Sequence, residues 1–494
     1  MVFNSLAFLI FYPIVLLLYR ILPRKLRWIM LLVASYYFYM SWQADLLYLI
    51  LFTTLVSYFC ARKIEFASTR FSRRMYLLLA LVASLFVLFF FKYFNFLATN
   101  VAAVMKNFGL GTHDFTLDLI LPVGISFYTF QTLSYVIDVY RGTIKAERHF
   151  GYYALYVSFF PQLVAGPIER PENLLPQLKK KNPPTGYDTA LGLKIMAVGF
   201  FKKIVVADQI AKFVDAVYNN LGSSNTALIN GFTVLLATVL FAFQIYCDFS
   251  GYTDIAIGCA RVMGIKLMQN FNNPYTATTI KDFWRRWHIS LTSWFTDYIY
   301  IPMGGSRCSK PRHYFNILFV FLISGIWHGA AWTFIIWGVV HGVYQVIGNL
   351  TKKPRDKFWE MLGVKQDNPV LIWARRIVTF MLVSLAWIVF RANTLNDLLK
   401  LLKILFTGWG GVSISASLSA LGLPIITLIT IAFSLYLLNQ LDKQVILADD
   451  QLRLNQPVVV GRAHAFVTVC WTIAAAWLIL LAANTESSFI YFQF

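Results

Sequence analysis

Two histidines forty positions apart carry side chains able to move a proton near neutral pH: His288, in Lys281-Asp-Phe-Trp-Arg-Arg-Trp-His288, and His328, in Gly325-Ile-Trp-His-Gly-Ala-Ala-Trp332. His328 lies in the apolar run Tyr314–Ile347, which is long enough to enter a bilayer. An imidazole placed there costs on the order of several kcal/mol unless it is paired or faces water, so it is a candidate functional group, and its type suits general-base catalysis. Gly325, Gly329, Ala330 and Ala331 beside it either leave room for a substrate or let two helices pack closely. His341 shares the apolar run, but thirteen residues along one helix at ~1.5 Å each would set it ~20 Å from His328. His113, His149 and His313 lie in polar segments, and His464 precedes the last apolar run.

Positioning these residues falls to a core segment spanning 245–348, which mixes aromatics with Asp248, Asp254, Asn270, Asp282, Arg286 and His288. Such a mixture suits re-entrant or interfacial helices around a cavity, because irregular backbone at membrane depth survives only against protein or water. Asp282 and Arg286 stand four apart, as do Trp284 and His288, so each pair is expected to share a helix face. The segment reads either as an interfacial helix with belt aromatics or as part of a catalytic site. Asp248 and Asp254 flank Gly251, which is expected to end a helix. A structural role, capping or pairing with a buried arginine, outweighs catalysis for both aspartates. Gly304-Gly305-Ser306-Arg307 reads as a turn, since no phosphate-loop pattern surrounds it.

These segments belong to a chain whose composition places it in a membrane. Of 494 residues, 58% are hydrophobic and 13% charged, with a mean hydropathy of +0.61, whereas a soluble domain is about 25% charged. Apolar stretches recur from Phe3–Leu22 through Trp28–Ala61, Tyr76–Val104, Leu191–Val217 and Leu371–Phe390 to Leu421–Asn439 and Ala465–Ala483. At ~20 residues per crossing they predict about ten to twelve transmembrane or re-entrant helices in an all-α polytopic domain covering residues 1–494. Phe3–Leu22 lacks a basic region before it and reads as a first retained span. Arg20, Arg24, Lys25 and Arg27 follow it, and Arg62, Lys63, Arg70, Arg73 and Arg74 follow the next long run. The positive-inside bias makes both clusters cytoplasmic, which requires two crossings between them, broken near Trp42–Ala44. The surplus of 43 Lys+Arg over 23 Asp+Glu then reflects topology and contact with the lipid bilayer, not nucleic acid. Asn182-Pro-Pro-Thr-Gly186 and Lys352–Asn368 are the clearest linkers. Cys60, Cys247, Cys259, Cys308 and Cys470 show no metal-ligand spacing, so no metal site is expected.

Gly325–Trp332, Asp282–Thr292, Phe159-Phe-Pro-Gln-Leu-Val-Ala-Gly-Pro-Ile-Glu169 and Phe249-Ser-Gly-Tyr-Thr-Asp254, in that arrangement across the full chain, resemble the signature segments of the membrane-bound O-acyltransferases. The likeness is to the bacterial branch that O-acetylates alginate and peptidoglycan. It implies helices around a central catalytic tunnel, His328 as the catalytic base and His288 as a second functional residue. Trp327, Trp284, Asp248, Asp282 and Arg286 are supporting candidates. It further implies an acetyl-CoA or other thioester donor with no bound cofactor, a multi-pass location in the bacterial cytoplasmic membrane, an envelope polysaccharide acceptor and an extracytoplasmic SGNH-type partner. The terminus, residues 485–494, contains Phe489-Ile-Tyr491-Phe-Gln-Phe494, similar to a short aromatic motif in related D-alanyl-transfer systems. On that likeness Tyr491 is either a transient acyl carrier or an interfacial anchor. D-alanyl transfer to teichoic acid, a transporter or flippase, and a non-catalytic export subunit are the competing readings.

Overall fold

Helices form wherever the apolar runs meet a capping residue and stop where proline, glycine or a polar cluster intervenes. The computed structural model describes residues 1–109, 115–180, 184–221, 228–410, 413–424, 427–438 and 440, and among these there is no strand. His113, His464, Cys470, the run Ala465–Ala483 and Tyr491 with the whole of 485–494 lie outside the described residues. Among the described residues, five helical stretches are long and apolar enough to cross a bilayer: Ala44–Phe66, Arg70–Asn107, Gly231–Val262, Trp332–Leu350 and Pro369–Arg391. Leu6–Ile21 and Thr427–Leu438 are shorter apolar helices.

The places where the apolar runs divide into helices have visible causes. Helix α1 (Leu6–Ile21) starts where the Ser5 hydroxyl accepts from the Phe8 N–H, and contains Pro13. The run Trp28–Ala61 divides into α2 (Arg27–Met40) and α3 (Leu47–Phe66), separated at Ser41–Gln43 as the charge pattern predicts. Helix α4 (Arg70–Asn107) is unbroken over 38 residues, ~57 Å at the usual rise. Leu191–Val217 is α9 (Gly186–Phe200) joined to α10 (Asp208–Asn219) by a π-helical stretch, Phe201–Ala207, while Tyr314–Ile347 is a hairpin of two helices.

Chain contacts divide the molecule into two compact units, Met1–Met196 with Thr253–Met268 and Ala197–Tyr252 with the residues from Gln269 on. The first unit holds α1 to α4, α5 (Ile125–Arg141), α6 (Phe150–Ser158), α7 (Phe160–Leu163), α8 (Pro171–Lys179) and most of α9. Phe3, Phe8, Phe38 and Phe160 are fully or almost fully buried there. Tyr12 donates its hydroxyl proton to the Cys259 carbonyl at 2.9 Å.

Glu169, near the end of the loop leading into α8, is fully buried. It accepts from the Met268 N–H and, at 2.6 Å, from the Asn173 amide. Burial outweighs these donors and raises its carboxyl from 4.5 to about 7. The folded chain therefore keeps a proton that the unfolded chain has lost across that window. Stability should fall as pH rises from about 4.5 to about 7, by about 3 kcal/mol, and level off above it. Thermal melts of the detergent-solubilised protein across this range should show the slope in the wild type and none in Glu169→Gln.

The second unit contains most of α11 (Gly231–Val262), then α12 (Ile280–Arg286), α13 (Ile289–Phe295), α14 (Lys310–His328), α15 (Trp332–Leu350), α16 (Lys352–Met361), α17 (Pro369–Arg391) and α18 (Leu395–Thr407). Gly251 does not end a helix as its residue type suggests; it lies inside α11. A Cβ there would meet the Gly199 carbonyl oxygen at 2.8 Å and the Lys202 Cβ at 3.0 Å. Close approach of a neighbouring helix, rather than chain reversal, explains the glycine.

Candidate active site

His328 is the last residue of α14, and Gly329 follows in extended conformation with φ −171°. Gly329 and Ala331 are extended and carry the chain to the start of α15. That break corrects the separation expected for His341. Instead of one long helix the two form a hairpin, and both imidazoles contact the indole of Trp337, with centroids at 4.9 Å for His328 and 5.0 Å for His341. Distance therefore does not separate His341 from His328. Its spacing of four from Trp337 was the legible signal.

The glycines flanking His328 are occupied by packing. A Cβ on Gly325 would come 2.4 Å from the Phe334 carbonyl oxygen, and one on Gly329 would come 2.3 Å from the Phe334 ring. Of the two readings offered by the small residues, close helix contact accounts for these two positions. A Cβ on Gly338, across the hairpin, would come 2.3 Å from the Phe321 carbonyl oxygen and 3.0 Å from the Gly325 Cα. Since both are backbone, Gly338→Val is expected to part α14 from α15 and destabilise the protein by at least about 1–3 kcal/mol. A lowered melting temperature measured by intrinsic fluorescence would register it.

His288 occupies a different kind of position. Helix α12 begins with the Thr279 hydroxyl accepting from the Asp282 N–H and ends at Arg286; Trp287 is extended and His288 has φ +44°. Trp284 and His288 therefore do not share a helix face, contrary to their spacing. The chain turns between them, and Trp284 donates its indole N–H to His341 Nδ1 at 3.2 Å instead. Asn270 holds the left-handed conformation in place. Its Oδ1 accepts from the Ser290 N–H at 3.2 Å and the Ser290 hydroxyl at 2.9 Å, and lies 3.1 Å from His288 Nδ1. Its carbonyl accepts from the Ile289 N–H at 2.9 Å.

The His288 ring is fully buried, edge-on to Phe249 at 4.8 Å and to Trp327 at 6.1 Å. Trp327 in turn meets His328 at 5.0 Å. The two predicted histidines thus flank one indole, and Phe390 closes another side of His328 at 5.5 Å. Together these rings form an alternating series in which His288, His328 and His341 are separated by Trp327 and Trp337. The surroundings of His328 are aromatic and almost dry, with 5% of its surface exposed.

Asp282 and Arg286 do share a face, paired at 3.1 Å, and Arg285 adds a second contact at 2.6 Å. Burial alone would raise the Asp282 carboxyl, but hydrogen bonds from Arg285 and Arg286 outweigh it and hold the group below its ordinary value. Asp248 has the structural partnership expected of it, with a lysine in place of an arginine. Lys203 Nζ lies 2.6 Å from Asp248 and 2.9 Å from Asp208, all three side chains being buried. The sequence signal for this group was the pair Lys202-Lys203 inside an apolar run. Gly304–Arg307 is a turn, as its residues predict. Among the described residues no cluster of metal-ligating side chains occurs.

Residues 144–390 match the membrane-bound O-acyltransferase family, a span containing both histidines and the indoles between them. The chain is 39% identical over 410 residues to the peptidoglycan O-acetyltransferase of Helicobacter pylori, covering 78% of this chain and 74% of that protein. It is 35% identical over 520 residues to a protein of Azotobacter vinelandii named "Probable alginate O-acetylase AlgI", covering 100% of both. The teichoic acid D-alanyltransferase of Bacillus subtilis is 30% identical over 254 residues, covering 49% of this chain and 62% of that protein. With one relative of 35% identity matched along its whole length and another of 39% along 74% of its own, and helices without strands among the described residues, the chain belongs to the membrane-bound O-acyltransferases.

Proposed function

We propose that this enzyme moves an acetyl group from a cytoplasmic thioester, acetyl-CoA, across the bacterial cytoplasmic membrane for O-acetylation of an envelope polysaccharide, with His328 as general base. The observation that carries this reading is the placement of His328 at the terminus of α14, in an aromatic, nearly waterless setting, within a chain similar end to end to proteins named for O-acetylation. In the step proposed, the imidazole takes a proton from an attacking hydroxyl as that oxygen bonds to the thioester carbonyl carbon. The carbon–sulfur bond then breaks, and the proton passes to the departing thiolate. The carbonyl end of α14 favours the positive charge that develops on the ring, an effect worth about 0.3–2 kcal/mol.

His288, buried on the far side of Trp327, is proposed to position this indole and the acceptor. Tyr491 is proposed as the first acceptor hydroxyl, the acyl-tyrosine ester then passing to an SGNH-type partner and its polysaccharide. Donor side and carrier are tested together in proteoliposomes loaded with labelled acetyl-CoA. Exported label from the wild type, absent when the donor is outside, supports the direction. Loss of protein-bound label in Tyr491→Phe supports the carrier, and intact-mass analysis showing undiminished acylation removes it. Transfer of labelled D-alanine in preference to acetate would favour the teichoic acid reading.

A further inference from the structure

The first unit contains a basic cavity that includes none of the rings around His328. It has a volume of about 270 Å³ and is walled by Arg24 and Lys25 from the loop between α1 and α2, by Arg27 and Trp28 at the start of α2, and by Lys179 and Lys180 at the end of α8. Among the described residues, no acidic side chain lines it. Glu147 pairs with Lys179 nearby, which leaves the cations of the α1–α2 loop as the main source of charge.

The walls are held in place before any ligand arrives. The Arg27 guanidinium lies over the Tyr19 ring, 4.8 Å from its centroid, and its Nε donates to the Leu22 carbonyl at 3.3 Å. A guanidinium fixed in this way presents its remaining donors as a planar fork, the geometry that suits phosphate oxygens. Trp28 is set against His149 and Tyr152 at 4.8 and 5.4 Å. Gly151 makes that seat possible, since a Cβ there would come 2.2 Å from the indole.

The cavity also adjoins an apolar strip. Leu17, Ile21, Leu26 and Ile29 are 59%, 68%, 45% and 41% exposed, as expected of side chains that face acyl chains at the level where headgroups begin. Converging cations, aromatic walls at an interface and no opposing carboxylate together specify an anion carried on a larger molecule.

We propose that this cavity binds a phosphate ester, either the headgroup of an anionic membrane lipid or the phosphates of a soluble nucleotide-bearing donor. Only the second source rests on the acyl-transfer reading.

The full-length protein in nanodiscs should be titrated with two probes, phosphatidylglycerol in a phosphatidylcholine background, read by native mass spectrometry, and radiolabelled coenzyme A, read by equilibrium dialysis. In Arg24→Gln/Lys25→Gln/Arg27→Gln, binding of one probe is expected to weaken by about 100-fold, roughly fivefold per charge removed. A control, Lys352→Gln/Lys353→Gln/Arg355→Gln, removes equal charge from the exposed α16 and should leave both affinities unchanged. Weakening confined to the lipid identifies the headgroup, and weakening confined to coenzyme A identifies the nucleotide. Unchanged affinities in the cavity variant, or equal losses in the control, overturn the proposal. If the triple variant does not fold, Lys179→Gln/Lys180→Gln reads the same cavity from its other wall. Acetyl transfer lost in His328→Ala with phosphate binding intact separates this site from the catalytic reading.

Discussion

His328→Ala is expected to lower the rate of acetyl transfer by about 10²–10⁴-fold while leaving the apparent KM for the thioester within a few-fold of the wild type. That is the range a positioned general base contributes, and a residue acting only on the proton in the transition state changes kcat more than binding. The ring is enclosed by Trp327, Trp337 and Phe390. Truncation should therefore leave a small cavity, and a melting temperature within a few degrees of wild type would separate chemistry from folding. His341→Gln is the informative comparison, since its amide can still accept from the Trp284 indole N–H, a bond of 3.2 Å in the wild type. Its loss of rate should be smaller by at least about tenfold. Equal losses in the two variants, or an active His328→Ala, would end the assignment of the base to His328.

Lys203→Met should be the most damaging single change to stability, costing about 3–5 kcal/mol, because it removes the cation from two buried carboxylates. Lys203 reaches Asp248 on α11 and Asp208 on α10 from the π-helical stretch between α9 and α10. A π turn is uncommon, and the ion pairs tie this one to α10 and α11. Replacing all three members together, as Lys203→Met/Asp208→Asn/Asp248→Asn, should recover most of the loss, since the penalty comes from charge left behind and not from the bond removed. Thermal unfolding in detergent measures both. A single variant that melts with the wild type would show that the group is ornamental to folding.

The residues differ in how far their types and spacing disclosed their surroundings. The break at Ser41–Gln43 was readable because two basic clusters demanded two crossings between them, and charge bias acts over whole segments. The Asp282–Arg286 pair was readable because a spacing of four within one helix fixes proximity. Trp284 and His288 have the same spacing, yet the chain turns at Trp287, and nothing local announces a histidine at positive φ. What stabilises it is Asn270, eighteen positions earlier, a contact that only the folded chain creates. Gly251 was misread because a glycine that ends a helix and one that admits a neighbouring helix look alike in sequence. His341 was placed far from His328 because the length of an apolar run does not reveal where it folds back.

The indoles on either side of His328 also make it observable. Trp327 and Trp337 lie 5.0 and 4.9 Å from its ring, close enough for a charged imidazole to quench their emission. Gain or loss of a proton at His328 would thus be written into the light the protein emits, and with the other tryptophans replaced, the charge on this ring could be followed optically in a bilayer without any added label.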